Sequence, residues 1–212
     1  MDKATTDDIV LYTNPMSRGR IARWMLEEVG IPYRREILTF GGTMKESDYR
    51  QLNPMGKVPT IVHGRQVVSE CAAICAYLAD AFPQAGLAPP PRERADYYRW
   101  MFFAAGPVEA SVSNKALGFQ VPPDRERMIG YGSYADVLDM LQKALVGRTY
   151  IAADYFTAAD VYVGAHLSWG IQFGSIEERP GFREYMERMT SRPAALRANE
   201  LDDADMKELQ AG

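Results

Sequence analysis

Residues 83–92 read PQAGLAPPPR, four prolines in ten positions with no apolar period. Neither a helix nor a strand can continue through such a segment, and it suits a stiff connector, so the 212 residues divide there. Before it, short β-branched runs alternate with helical stripes; after it, apolar residues recur at helical spacing only. The expectation is an α/β unit at residues 1–85 and an all-helical unit at residues 93–212, with 83–92 as the linker.

In the first unit, residues 9–12 form an apolar, β-branched run that Asn14 and Pro15 end. Ile21, Trp24, Met25 and Val29 then share one helical stripe, with Arg23 and Glu27 on a polar flank and Gly30 as the stop signal. Residues 33–38 read as a second strand, which a right-handed crossover would make parallel to the first. After a polar, poorly periodic stretch at 41–52, residues 58–63 and 66–69 form a hairpin around Gly64-Arg65, and 70–82 carry a second helical stripe through Cys71, Ile74, Cys75, Leu78 and Phe82. The order is βαβ followed by ββα. In the second unit helices are expected over 93–117, kinked at Pro107, then over 124–146, 157–171, 180–190 and 193–200. Thr157 and Asp160 have capping-box spacing at the start of the third.

Composition narrows the function. With 47% hydrophobic and 25% charged residues the chain has the makeup of a globular protein, and its net charge of -4 supplies no basic surface for nucleic acid or for an anionic membrane. The first eight residues, MDKATTDD, lack the apolar core of a secretion signal. Cys71 and Cys75, at i, i+4 on one helix, are too constrained for an ordinary bridge, and the reading is a reducing cytoplasm. His63 and His166 have no companion ligands at metal spacing, so no metal site is expected. The partner expected is a small molecule.

Two places could hold one. Pro59 at the start of a strand is either an ordinary edge proline, or it follows a cis bond that leaves the Val58 N–H and C=O to pair with an extended peptide. Glu70 stands before a helix, so it either complements the helix dipole or joins the free helix N–H groups to hold a zwitterion, the acid taking an ammonium and the N–H groups a carboxylate.

The order βαβ, then Asn53-Pro54-Met55-Gly56-Lys57-Val58-Pro59, then Glu70-Cys71-Ala72-Ala73-Ile74, resembles the glutathione S-transferase family, and Phe156-Thr157-Ala158-Ala159-Asp160 looks like the family's capping motif. The resemblance covers nearly the whole chain. It implies a thioredoxin-like amino-terminal domain, a helical carboxy-terminal domain, glutathione as co-substrate and a homodimer. It also implies a cis Pro59, with Val58 holding the cysteinyl backbone of glutathione and Glu70 its γ-glutamyl end. Many relatives carry serine where this chain has Cys71, which leaves its backbone N–H as the contact. Lys57, assisted by Gln51, could meet the glycyl carboxylate; the alternative is a solvated lysine. Arg18, Arg20 and Arg23 either help hold an anionic tripeptide or form a solvated face.

Asn14-Pro15-Met16-Ser17-Arg18, aligned through Trp24-Met25-Leu26-Glu27-Glu28, resembles bacterial transferases with a serine donor, which makes Ser17 the expected stabiliser of the glutathione thiolate. The alternative for Ser17 is a plain N-cap. Tyr12 is the reserve donor and Asn14 the next. Pro15-Met16-Ser17-Arg18 stands where thioredoxin-like oxidoreductases carry C-x-x-C, so an internal dithiol cycle is excluded. Phe103, Gly106 and Phe119 are the expected electrophile-pocket residues, against the alternative that aromatics at helical spacing are core. The activity expected is conjugation of glutathione to a hydrophobic electrophile. A glutathione-dependent peroxidase or isomerase, and a non-catalytic transferase-like binding module, are the other readings.

Overall fold

The computed structural model describes residues 8–211; the opening residues 1–7, whose composition argued against a secretion signal, lie outside the described residues. Contacts divide the chain into two compact units. The first comprises the chain up to Ala85 together with Pro193 onward, and the second runs from Gly86 to Arg192.

The first unit begins with β1 (Ile9–Thr13), α1 (Gly19–Val29) and β2 (Arg34–Ile37), and β1 pairs parallel to β2 as the crossover rule requires. A 3₁₀ turn (Thr43–Lys45) and a short α2 (Ser47–Leu52) occupy the stretch that had no readable period. The hairpin of β3 (Thr60–His63) and β4 (Gln66–Ser69) then adds antiparallel to β1, giving the order β2-β1-β3-β4, and α3 (Cys71–Ala81) follows. Helices α1 and α3 pack on each other and on the sheet. The stripes anticipated for them lie in its core: Ile21, Trp24, Met25 and Val29 from α1 and Ile74, Cys75 and Leu78 from α3 are buried, joined by Leu26, which the stripe did not include, and by Leu11 and Ile61 from the sheet. Gly30 closes α1 in the left-handed conformation, its N–H donating to the Leu26 carbonyl.

The second unit holds α4 (Ala95–Phe103), a π-helical turn (Ala104–Val108), α5 (Glu109–Ala116), α6 (Tyr134–Leu145), α7 (Ala158–Gln172) and α8 (Phe182–Thr190). Pro107 has no N–H and its ring crowds the preceding turn; the chain answers by widening that turn, with the Glu109 N–H reaching back five residues to the Ala104 carbonyl. The single kinked helix expected over 93–117 is therefore two helices joined by a π turn. The helix expected over 124–146 begins later: Pro123–Met128 is 3₁₀, and α6 starts behind Ser133, whose Oγ accepts the Asp136 N–H. Pro122, Pro123, Gly130 and Gly132 keep the intervening segment out of the α-helix.

Helix α7 is buried on nearly all sides and opens with the expected capping box. The Asp160 carboxylate accepts from the Thr157 N–H and hydroxyl, the Ile151 N–H and the Tyr185 hydroxyl at 2.8–3.0 Å. Burial pushes its carboxyl up, against the pull of these donors.

The last helix, α9 (Pro193–Ala211), corrects two expectations. It runs well past residue 200, and it belongs to the first unit by its packing on α1, so the helical unit does not extend to 212. The reason lies in its buried face, which carries Asp202 and Asp205 beside Ala195 and Ala198. A hydrophobic stripe is the signal that marks a docked helix, and two acids in it read as solvent-facing. Arg23 is what they meet. It was expected on a polar flank of α1 but is only 2% exposed, its Nε 3.0 Å from Asp202 Oδ1 and its Nη2 paired with Asp205. Arg35 reaches the other oxygen of Asp205 at 2.7 Å. Among the described residues no helix is long and apolar enough to cross a membrane.

Candidate active site

Sheet register brings three segments to one end of the first unit. Tyr12 pairs with Glu36 on one side and Thr60 on the other, and Thr60 pairs with Ser69. The chain leaving β1 at Asn14, the Val58–Pro59 segment leading into β3, and Glu70 leaving β4 are therefore neighbours. The N-termini of α1 and α3 meet there too, since the Cys71 thiol lies 3.6 Å from the Arg18 carbonyl. The first N–H groups of α1, those of Gly19, Arg20 and Ile21, turn back to Ser17 Oγ, Ser17 O and Arg18 O, and the two helix ends together present a positive potential suited to an anion.

The turn before α1 is tied from several directions. Asn14 is buried; its Nδ2 donates to the Leu38 carbonyl at 2.7 Å, and its Oδ1 accepts the Met16 N–H at 2.9 Å. Half-buried Ser17 donates its hydroxyl to the Asn14 carbonyl at 2.7 Å, and its Oγ accepts the Gly19 N–H at 2.9 Å. A serine hydroxyl has one proton, and Ser17 directs it to the Asn14 carbonyl. Reserve donor Tyr12 packs 5.6 Å from the Tyr49 ring, and burial, with help from Glu36, pushes its phenol up; it is a donor and not an anion near neutrality.

The Val58–Pro59 peptide is cis. A network the sequence did not reveal braces it. Tyr49 on α2 donates to the Lys57 carbonyl at 2.5 Å and lies 2.8 Å from the Thr60 hydroxyl, and Asn53 Nδ2 donates to the same carbonyl at 2.8 Å. Lys45 Nζ holds the next carbonyl back, Gly56 O, at 2.6 Å. Gly56 has φ +56°, and a Cβ there would stand 2.8 Å from the Met44 carbonyl, so only glycine fits the turn. The one sequence signal for this bracing was Tyr49, the single aromatic residue of the polar stretch at 41–52.

Glu70 is exposed and has φ 69°, ψ 114°, the one non-glycine residue with positive φ among those described. That conformation costs about 1–3 kcal/mol in a residue with a Cβ, and such outliers concentrate at ligand sites. Cys71 is buried, and both cysteines are free thiols. The side chains of Lys57 and Gln51 are exposed. Arg23, and Arg20 as described below, are engaged within the unit and do not form a solvated face.

In the second unit, Phe119 borders a cavity of about 380 Å³ together with Ser111, Lys115, Tyr131 and Tyr134. Phe103 and Gly106 do not border it: Phe103 is half-buried, edge-on to Trp100 at 5.5 Å, and Gly106 lies exposed in the π turn. Among the described residues no group of three His, Cys, Asp or Glu could hold a metal ion. His63 Nδ1 lies 2.9 Å from the Tyr77 hydroxyl, and His166 packs edge-on to Tyr162.

Family models settle the frame. "Glutathione S-transferase, N-terminal domain" matches residues 16–81, and "Glutathione S-transferase, C-terminal domain" matches residues 112–193. The chain belongs to the glutathione S-transferase family. A glutathione S-transferase of Xanthomonas campestris pv. campestris is 28% identical over 205 residues, covering 91% of this chain and 99% of that relative. A glutathione transferase structure from Methylococcus capsulatus str. bath superposes with TM-score 0.75 at 27% identity, covering 92% of this chain and 99% of that one. A sphingomonad glutathione S-transferase complexed with glutathione, at 24% identity, TM-score 0.74 and coverage of 92% and 98%, shares the fold. The two-part transferase architecture, a mixed four-stranded sheet with helices followed by a helical unit, is thus that of the family. The amino-terminal transferase match contains Ser17, Gln51, Lys57, Val58, Pro59, Glu70 and Cys71, with Tyr12 and Asn14 ahead of it. The carboxy-terminal match contains Phe119 and ends as α9 begins.

Proposed function

We propose that this transferase-family chain binds glutathione at the sheet end just described and adds its thiolate to an electrophilic small molecule. The observation that carries the reading is the meeting of the Ser17 turn, the cis Val58–Pro59 segment and the Glu70–Cys71 helix start, with Cys71 Sγ 3.6 Å from the Arg18 carbonyl. Each piece has a task. The Val58 N–H and C=O pair with the cysteinyl backbone as an added strand pairs with a sheet edge. Glu70 takes the γ-glutamyl ammonium and the α3 N-terminus its carboxylate. Lys57, assisted by Gln51, meets the glycyl carboxylate.

The thiol of a free cysteine ionises near pH 8.5, and a donor at the positive end of a helix lowers that. Ser17 holds that place ahead of α1. It acts as donor to the thiolate and takes no proton; the thiol proton leaves to solvent. The sulfur lone pair then forms the S–C bond, and the leaving group departs with its electron pair or, in an addition, the carbon skeleton takes the charge and a proton. Phe103, Gly106 and Phe119 are the proposed contributions of the second unit to electrophile binding.

One observation favours a second reading, a non-catalytic transferase-like module: the Ser17 hydroxyl already donates to the Asn14 carbonyl. An ultraviolet pH titration of the protein with saturating glutathione, with binding checked by calorimetry, separates the two. A bound thiol pKa well below that of free glutathione supports the transferase; binding without a shift supports the module. With an activated thiol in hand, product analysis distinguishes conjugation from peroxide reduction or isomerisation. We further propose a detoxifying role in the cytoplasm, consistent with two free thiols, and a homodimeric state to be read by sedimentation.

A further inference from the structure

The peptide unit between Pro15 and Met16 is held at both ends. Its N–H donates to Asn14 Oδ1 at 2.9 Å, and its carbonyl accepts from Arg20 Nε at 2.6 Å. The next N–H, that of Ser17, donates to the Asn14 carbonyl at 3.0 Å. Rotation of the 15–16 peptide is the motion that would swing Met16 and Ser17 about the end of β1, and Arg20 is the only side chain in these bonds that lies outside the turn. Arg20 is itself fixed: its Nη2 donates to Asp203 Oδ1 on α9 at 2.7 Å. A planar guanidinium can aim Nε and Nη2 at two acceptors at once, which a lysine ammonium on a flexible stem does not reproduce. The helix that presents Asp203 is anchored by the buried pairs of Arg23 with Asp202 and Asp205.

We propose that Arg20 is a positioning residue for thiolate activation, holding the Asn14–Ser17 turn through the Pro15 carbonyl, and that Asp203 on α9 orients it. This rests on the reading of Ser17 as the donor to bound glutathione. Arg20 touches neither substrate nor reacting atom; it acts through the backbone that aims Ser17. Two of its three guanidinium nitrogens, Nε and Nη2, are committed within the protein.

The test compares Arg20→Met, Arg20→Lys, Asp203→Asn and the Arg20→Met/Asp203→Asn double variant with the parent protein. Two readouts are used: the ultraviolet titration of bound glutathione, and hydrogen exchange of the Met16 and Ser17 amides in the ligand-free protein. A misplaced donor costs rate steeply, so Arg20→Met should lower the thiolate fraction of bound glutathione at pH 7 by about threefold to tenfold. Glutathione affinity measured below the thiol pKa should stay within about twofold, because Val58 and Glu70 are untouched. Arg20→Lys should fail to restore the parent value. Asp203→Asn should shift the same way by less, its pair being exposed, and the double variant should match Arg20→Met, since Asp203 works only through Arg20. Met16 and Ser17 exchange should accelerate in Arg20→Met while the amide of Met25, inside α1, does not.

Unchanged exchange, an unshifted thiol pKa in Arg20→Met, or additive losses in the double variant would each overturn the proposal. A parent protein that binds glutathione without lowering its thiol pKa would instead overturn the reading of Ser17.

Discussion

Ser17→Ala removes the proposed donor, and the structure bounds the size of the effect. The Ser17 hydroxyl donates to the Asn14 carbonyl at 2.7 Å, so a thiolate captures its proton only in competition with that acceptor. A hydrogen bond to a charged group contributes about 1.5–3 kcal/mol and a neutral one about 0.5–1.5 kcal/mol, leaving a net gain of about 1–1.5 kcal/mol. At about 1.4 kcal/mol per unit, the bound thiol should rise by about one pKa unit. The Asn14 carbonyl keeps its bond from the Ser17 N–H in the variant and so is not orphaned. Ultraviolet titration should therefore place the variant's bound thiol about one unit higher, with kcat/KM at pH 7 about tenfold lower and affinity for the thiol form unchanged. The same substitution takes from the Gly19 N–H its acceptor at the start of α1, costing about 0.5–2 kcal/mol of stability. An unmoved pKa would transfer the role to Tyr12 or to the backbone N–H groups. A rise beyond two units would show that the Asn14 carbonyl does not compete for the proton.

Glu70→Gly separates the strain at this residue from its charge: relief of the positive φ should stabilise the fold by about 1 kcal/mol, while loss of the ammonium partner weakens glutathione binding about tenfold. Equal affinity by calorimetry would leave the acid serving the helix dipole alone. Tyr49→Phe deletes the bonds to the Lys57 carbonyl and Thr60 and should cost about 1–3 kcal/mol in urea unfolding, with a severalfold rise in glutathione Kd; unchanged binding would mean that the bracing is not needed at Val58. Burial, with the like charges of Asp205 and Asp203, pushes the Asp202 carboxyl up to about 7 against the pull of Arg23 and Arg20. Its folded-state pKa is above the unfolded value, so the folded protein binds the extra proton and stability should fall as pH rises from about 4 to about 7, by at most about 4 kcal/mol. Urea melts across that range should lose this slope in Asp202→Asn; parallel curves for parent and variant would refute it.

Much of the first unit was legible because its elements announce themselves locally. The run from Ile9 to Tyr12, the stripe through Ile21 and Met25 and the stop at Gly30 each obey one periodicity or one backbone rule, and the structure follows them. What escaped reading depends on partners distant in the chain. Arg23 looks solvated until Asp202 and Asp205 are placed against it, some 180 residues later, and those acids in turn hide the docked face of α9. The bracing of the cis peptide by Tyr49 and Asn53 escaped for another reason: α2 is six residues long, too short for an amphipathic pattern. For the candidate site, the residues alone pointed to the Val58 edge and to Glu70 before its helix, and the resemblance supplied the role of Ser17. The engagement of Ser17 by Asn14 is a matter of hydroxyl direction, which no spacing encodes.

The first unit is discontinuous, residues up to Ala85 being completed by α9 across the whole of the second. On a ribosome the second unit has all of its parts before the first does, although its codons come later. Until Asp202 and Asp205 emerge, the nascent amino-terminal half must keep Arg23 hydrated, and the face of α1 that will carry it stays open to chaperones and proteases. A chain cut after Arg192 would therefore hold every part of the second unit and yet lack the helix that covers α1 in the first.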